Sequence, residues 1–289
     1  MSASRIVLYS AAAAAVAALL YAGFIHQPKP DFLTDLSAAR MQLGIAYAIP
    51  ALDKDGKEMD SRRQLIATAS EQIARAASQQ PDHVATRELQ AFLAMVDGKP
   101  LEAGRLYGEA MELEGVDAEI HDSLLFNQVR CLDDGQDAAA GLAALDAGFE
   151  RVQDKYRTEA LLLRARLLGR TGDRKQALEV VRDLVASEDV VPMARAEAGE
   201  QLESFGLLGE AEAAYARAAE EAPLANYFLS RLKVRNGDVD TALVLLERAA
   251  AAAPADVRKR LSKDASAWKL VEADGRFQAM QGTVASPGR

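Results

Sequence analysis

Three histidines, one cysteine and one aspartate-bearing loop are the residues of this chain that could build a reactive centre. His26, His83 and His121 lie far apart, and no pair has the spacing that brings two imidazoles onto one metal ion. None stands with a serine or cysteine in a nucleophile signature. Each reads as a surface residue: His26 borders an apolar run, His83 follows Pro81, and His121 sits beside Asp122 at a helix start. Cys131 falls on the packing face of a helix, which makes it a buried thiol and not a nucleophile, and as the only cysteine it has no partner for an intramolecular disulfide. In the loop Asp53-Lys54-Asp55-Gly56, placing Gly56 at the turn glycine of an EF-hand puts Asp53 and Asp55 at ligand positions. The same frame puts Ala51 at the first ligand and Arg62 at the bidentate glutamate, so the loop reads as solvated. Gly98-Lys99 lacks the upstream glycine and the following Ser or Thr of a phosphate loop. These residues predict no catalytic, cofactor or metal site, and the functional reading moves from chemistry to surface.

The elements behind that surface follow from composition. The chain has 289 residues, 49% of them hydrophobic and 27% charged, with only 6% aromatic. Alanine supplies much of the apolar share; it is the best helix former and fills little volume, which favours closely packed helices. No segment alternates β-branched and polar residues between turn signals, so the expected fold class is all-α. A net charge of −9 argues against nucleic acid, whose phosphates need clustered Lys and Arg.

Residues Ile6 to Ile25 are twenty positions without a charge. As a helix they span ~30 Å, the thickness of a bilayer core. Arg5 and the amino terminus precede them, and His26, Lys29 and Asp31 follow. This places residues 1–30 as a signal-anchor with its Pro28/Pro30 linker, the amino terminus in the cytoplasm and the rest beyond an inner membrane, in the periplasm. A cleaved signal, giving a soluble periplasmic protein, is the alternative; Ala15-Val16-Ala17 has the small-x-small form, but cleavage there leaves ALLYAGFI at the new terminus. A buried soluble helix is the third reading.

Repetition is the dominant feature of residues 31–254. Between Pro192 and Pro223, Gly199 is a small mid-helix residue and Gly206 ends that helix. Ala211, Tyr215 and Ala218 then fall at i, i+4 and i+7 on a second helix closed by Pro223. The same frame gives Ser230, Gly237, Ala242, Leu246, Ala249 and Pro254, then upstream Ala165, Gly172, Ala177 and Val181. Further upstream it gives Gln128, Gly135, Ala140, Ala144 and Ala147, and before them Ala91, Gly98, Ala103, Tyr107 and Ala110. A looser first copy places Leu33 to Ile49 ahead of a loop around Pro50 to Asp60, then Ala69, Ile73, Ala76 and Pro81. The key alanine recurs at 69, 103, 140, 177, 211 and 242, in steps of 34, 37, 37, 34 and 31. This pattern resembles the tetratricopeptide repeat, two antiparallel helices with small residues where they touch. It departs from that repeat where Arg87, Leu124, Leu161, Arg195 and Asn226 stand early in the first helices, and where the second-helix aromatic survives only at Tyr107 and Tyr215.

The resemblance implies a right-handed α-solenoid of about six hairpins over 31–254. A closing helix and tail occupy 255–289, in which Trp268, Leu270, Phe277 and Met280 cover the last hairpin and Gln281 to Arg289 are loose. It also implies a concave groove lined by the first helices, which in related proteins holds peptides or extended chains. The groove residues expected here are Phe92, Met95, Leu125, Val129, Leu162, Arg166, Gly169, Arg170, Tyr227, Arg231, Val234 and Arg235. The arginines either grip carboxylates of a partner or pair with Glu200 and Glu203 of their own face. The expected function is a membrane-anchored, non-catalytic adaptor for a protein or peptide partner in envelope complex assembly or chaperoning. A self-associating structural repeat is the alternative.

Overall fold

The computed structural model describes residues 30–52 and 59–283, and all structural statements concern these residues. The stretch Ile6–Ile25, His26 and the loop Asp53–Gly56 lie outside them. Among the described residues every regular element is a helix, and no helix is long and apolar enough to cross a membrane.

The helices are α1 (Pro30–Ala48), α2 (Asp60–Gln79), α3 (Val84–Val96), α4 (Pro100–Met111), α5 (Ala118–Asp134), α6 (Ala138–Gly148) and α7 (Asp154–Thr171). They continue as α8 (Arg174–Ala186), α9 (Pro192–Ser204), α10 (Leu208–Glu221), α11 (Asn226–Arg235), α12 (Val239–Ala252), α13 (Pro254–Lys263) and α14 (Gly275–Thr283). They form two compact units, one up to Ala160 and one from Leu161 onward.

Turn chemistry makes the hairpins. At Gly98, Gly206 and Gly237 the backbone takes φ of 77°, 78° and 81°, the left-handed conformation that closes a helix and costs glycine least. At each of these turns the left-handed residue donates its N–H to the carbonyl three residues back, and the next residue donates to the carbonyl five residues before itself. Gly98 reaches Met95 at 3.2 Å and Lys99 reaches Ala94 at 2.9 Å; Gly237 reaches Val234 at 3.0 Å and Asp238 reaches Lys233 at 2.9 Å.

The third turn corrects the sequence frame by one residue. There the left-handed residue is Gln136, φ 65°, while Gly135 is the preceding cap at φ −76°. Gln136 donates to Asp133 at 3.0 Å and Asp137 to Leu132 at 2.9 Å, the same pair of bonds. The second helix therefore buries Gly141, Leu145 and Gly148, not Ala140, Ala144 and Ala147. In the first helix Val129, fully buried, replaces Gln128 as the contact residue. Ala147 is exposed, and Ala140, Ala144 and Gln128 are only half-buried.

In the first unit Phe32, Leu36, Ala39, Leu43 and Ala46 form the inner stripe of α1 and pack with Ala69, Ile73 and Ala76 of α2 and Leu89 of α3. The spacing of four and three residues keeps these side chains on one helical face. Ala91 and Ala94 of α3 then meet Ala103, Tyr107 and Ala110 of α4, with Leu124 and Cys131 of α5 in the same core. In the third hairpin a Cβ added to Gly148 would lie 2.7 Å from Cδ2 of Leu125, so the absent side chain sets how closely α5 and α6 approach.

In the second unit one core runs from Leu162 and Ala165 through Val181, Leu184, Ala211, Tyr215 and Ala218 to Leu246 and Ala249. It is closed by α13, a short 3-10 turn (Ala265–Trp268) and α14, three pieces in place of the single closing helix expected. The buried Trp268 lies between Tyr227 and Phe277, with ring centroids 5.5 and 5.7 Å away. Val271 is buried beside it, whereas Leu270 is 69% exposed and covers nothing. Helix α14 extends to Thr283, so Gln281–Thr283 are helical and not tail.

Candidate functional site

The first helices carry the candidate surface, and each unit builds its own. In the first unit α1 and α3 are joined by a forked ion pair. Arg40 donates from Nη2 to Glu88 Oε2 at 2.6 Å and from Nη1 to Oε1 at 3.2 Å. Both side chains are largely shielded, which makes the pair a strong positional clamp. Beyond this clamp Tyr47 of α1 faces Phe92 of α3, centroids 6.2 Å apart and planes tilted by 50°. Phe92 and Met95 are half-buried, their inner sides against the core and their outer sides open to solvent. Burial lifts the Tyr47 phenol above its usual pKa; Asp134 on α5 adds to the rise and Arg130 opposes it. Tyr47, Phe92 and Met95 thus form an aromatic and thioether patch with a mixed-charge border from α5. Such a patch suits an apolar side chain of a partner.

The corrected register changes the α5 contribution to this face. Counting back six and three residues from the left-handed turn residue gives Phe92 and Met95 in α3, and Arg130 and Asp133 in α5; Asp133 is buried, and the exposed carboxylate at this border is Asp134. Leu125 and Val129, expected on the groove, are fully buried inside the third hairpin. The sequence did contain the corrective signal. Asp137, Asp173 and Asp238 all cap a second helix, accepting from Ala140 N at 3.0 Å, Gln176 N at 3.1 Å and Thr241 N at 3.4 Å. Aligning these aspartates, and not the glycines, puts Gln136 at the turn.

In the second unit the expected residues are divided. Leu162, Tyr227 and Val234 are buried in the core, Gly169 is half-buried, and Arg166, Arg170 and Arg235 are exposed. A Cβ on Gly169 would stand 2.9 Å from the Phe205 ring, so this position is closed by the residue that caps α9. Arg231 is engaged by three carboxylates: Glu203 Oε2 at 2.9 Å, Glu200 Oε1 at 3.1 Å and Asp264 Oδ2 at 3.2 Å. Arg235 reaches Glu203 at 3.5 Å. Tyr215 donates its hydroxyl to Glu203 at 2.8 Å and Tyr227 donates to Asp264 at 3.0 Å. Burial raises the Glu200 pKa while Arg231 and Arg260 pull it down. Arg260 covers the Phe228 face at 4.5 Å. Cations and carboxylates here satisfy one another, so Arg231 offers a partner no vacant fork.

The residues with reactive potential are built into structure. Cys131 is 1% exposed, and burial pushes its thiol up to about 12, far from the thiolate a nucleophile needs. His83 is the amino-terminal cap of α3, its Nδ1 accepting from Ala85 N at 3.1 Å. His121, expected at the surface, is 2% exposed. Its Nδ1 lies 3.4 Å from Asp122 Oδ1, and Asp122 Oδ2 accepts from the Gln153 backbone and side chain at 3.2 and 2.8 Å. That cluster fastens the start of α5 to the segment before α7. Among the described residues no three His, Cys, Asp or Glu side chains are grouped to hold a metal ion.

The chain is an all-α repeat of helix hairpins. No protein-family model matches it, and no curated protein does. It is similar to three solved structures among others. YrrB, a TPR protein with an unusual peptide-binding site, is 17% identical over 66% of this chain and 97% of that one, TM-score 0.39. PilF of Pseudomonas aeruginosa is 15% identical over 86% and 99%, TM-score 0.46. PilW, a widely conserved type IV pilus biogenesis factor, is 13% identical over 86% and 98%, TM-score 0.47. The repeat assignment stands on the hairpins and turns of the chain itself.

Proposed function

We propose that this protein is a non-catalytic scaffold that holds a protein or peptide partner, and that its Ile6–Ile25 segment anchors it in a bacterial inner membrane with the hairpins on the periplasmic side. The observation that supports binding most is the half-buried patch of Tyr47, Phe92 and Met95, apolar side chains on first helices that the core only partly covers. The partner chemistry it suits is an apolar or aromatic side chain on a helical or extended segment, with polar contacts at Arg130 and Asp134. The peptide-binding site named for YrrB is compatible with this reading. On the anchor reading of Ile6–Ile25, the process proposed is envelope complex assembly or chaperoning.

The test is quantitative mass spectrometry of proteins that co-purify with the full-length chain from membranes of its own host, comparing wild type, Phe92→Ala and Ser70→Ala. Ser70 is exposed on α2, a helix that contributes no residue to the patch. A specific protein retained by wild type and Ser70→Ala and lost with Phe92→Ala, at equal far-ultraviolet circular dichroism, supports the proposal. An identical set from all three overturns it.

A further inference from the structure

Helix α1 differs from a helix such as α8 in what it leaves exposed. Its inner stripe is in the core, yet from Thr34 onward the opposite face, bearing Thr34, Ser37, Ala38, Met41, Ile45 and Ala48, has no charged residue. Met41 is 63% and Ile45 46% exposed. By contrast, the outer side of α8 carries Arg174, Lys175, Glu179, Arg182 and Asp183. Large apolar side chains exposed on the face of a helix away from its core are normally covered by another surface. The charged residues of α1 whose side chains are described are spent elsewhere, Asp35 on Arg75 at 2.6 Å and Arg40 on Glu88 at 2.6 Å.

We propose that this face pairs with the same face of a second copy, α1 against α1 in parallel. Three observations favour that occupant. Ala38, Met41, Ile45 and Ala48 step by three, four and three residues, the seam of a parallel two-helix contact. In a two-fold pair each seam residue meets its own counterpart, and an uncharged face avoids the repulsion that the net charge of −9 otherwise imposes on two copies. Only residues 26–29 separate Ile25 from α1, a reach of ~13 Å. The orientation rests on the anchor reading: two copies leaving one membrane present their α1 helices side by side and pointing the same way. A lipid surface is disfavoured by charge, because interfacial helices flank their apolar face with Lys and Arg, and the one arginine of α1 is neutralised by Glu88.

The experiment is disulfide crosslinking of the full-length chain in its membranes. The native Cys131 is buried, so cysteines introduced by Met41→Cys or Ile45→Cys report alone, with Ser70→Cys as control. Oxidation gives a covalent dimer at positions 41 and 45 and little at 70, and adding Met41→Glu to Ile45→Cys lowers the yield at least tenfold. Equal crosslinking at all three positions, or none, overturns the pairing. An alkaline carbonate wash reads the anchor separately. A chain retained in washed membranes without crosslinks overturns the pairing and leaves the anchor standing. A chain lost to the wash overturns the anchor, and specific crosslinks that persist uphold the α1 contact by itself.

Discussion

Gly199 and Tyr215 are fitted to one another: a Cβ on Gly199 would stand 2.7 Å from Cε1 of the Tyr215 ring. The ring has no room to yield, since it stacks on Phe228 at 5.5 Å and is held through its hydroxyl by Glu203. The small residue of the first helix and the large one of the second are therefore a single packing unit. Gly199→Ala is expected to cost about 1–3 kcal/mol by overpacking. Combining it with Tyr215→Leu, which shortens the blocking side chain, should cost less than the sum of the two single changes. Urea midpoints of the three variants measure the coupling; strict additivity would refute the fitted pair.

The third hairpin offers a sharp test of register. Leu145 is fully buried and Ala147 exposed. Leu145→Ala should cost about 2–5 kcal/mol, while Ala147→Ser stays within about 0.5 kcal/mol. Gln136 holds a left-handed conformation that disfavours side chains. Gln136→Gly should therefore raise stability by about 1 kcal/mol, because only the strain is removed. If that substitution destabilises the protein, Gly135 is the true turn residue.

How much of this was legible in the sequence differs from hairpin to hairpin. Ala69, Ala103, Ala177, Ala211 and Ala242 were readable because each is a small residue locked four and seven positions before other core residues, and each is fully buried. The third copy misled because Gly135 lies one residue before the position where backbone conformation demands glycine. The capping Asp137 carried the information. Of the surface, Phe92 and Met95 were visible as apolar residues on a first helix. The partnership of Phe92 with Tyr47, and of Arg231 with Asp264, depends on distant segments that no local spacing reveals. His121 was misplaced at the surface because its burial is produced by elements beyond its own helix.

The charge cluster at Arg231 makes a pH-dependent prediction. Arg231→Met leaves Glu200, Glu203 and Asp264 close together without their shared cation. The loss expected is about 2–4 kcal/mol at neutral pH, below that of a fully buried pair because water still reaches the carboxylates. Burial already raises the Glu200 pKa, so acid protonates it readily and relieves the repulsion. The deficit relative to wild type should shrink between pH 7 and pH 5; a deficit that grows would contradict the network.

Histidine gives the opposite dependence. Burial lowers the pKa of His83 and of His121 in the folded chain, whereas unfolded both titrate near ~6.5. Below that value the unfolded chain binds more protons, so their stabilising contribution is complete above about pH 6.5 and declines as the pH falls through it. Thermal melting at pH 7.5 and 5.5 should show a smaller decline for His83→Asn with His121→Gln than for wild type. Asparagine keeps the cap acceptor without titrating.

Cys131 supplies a reporter of opening. With its thiol held up to about 12 and its side chain buried, alkylation at pH 8 should follow hydrogen-exchange opening of α5 and be complete only in denaturant. Fast labelling of native protein would place the thiol at the surface.

The patch on the first unit is tested most directly by photo-crosslinking in living cells, with a benzophenone amino acid at position 92 and, in a separate strain, at position 70. One discrete adduct from 92, absent from 70 and weakened at least fivefold by Tyr47→Ala, is the predicted result. No adduct from 92, or the same adducts from both positions, would contradict a partner held on this face.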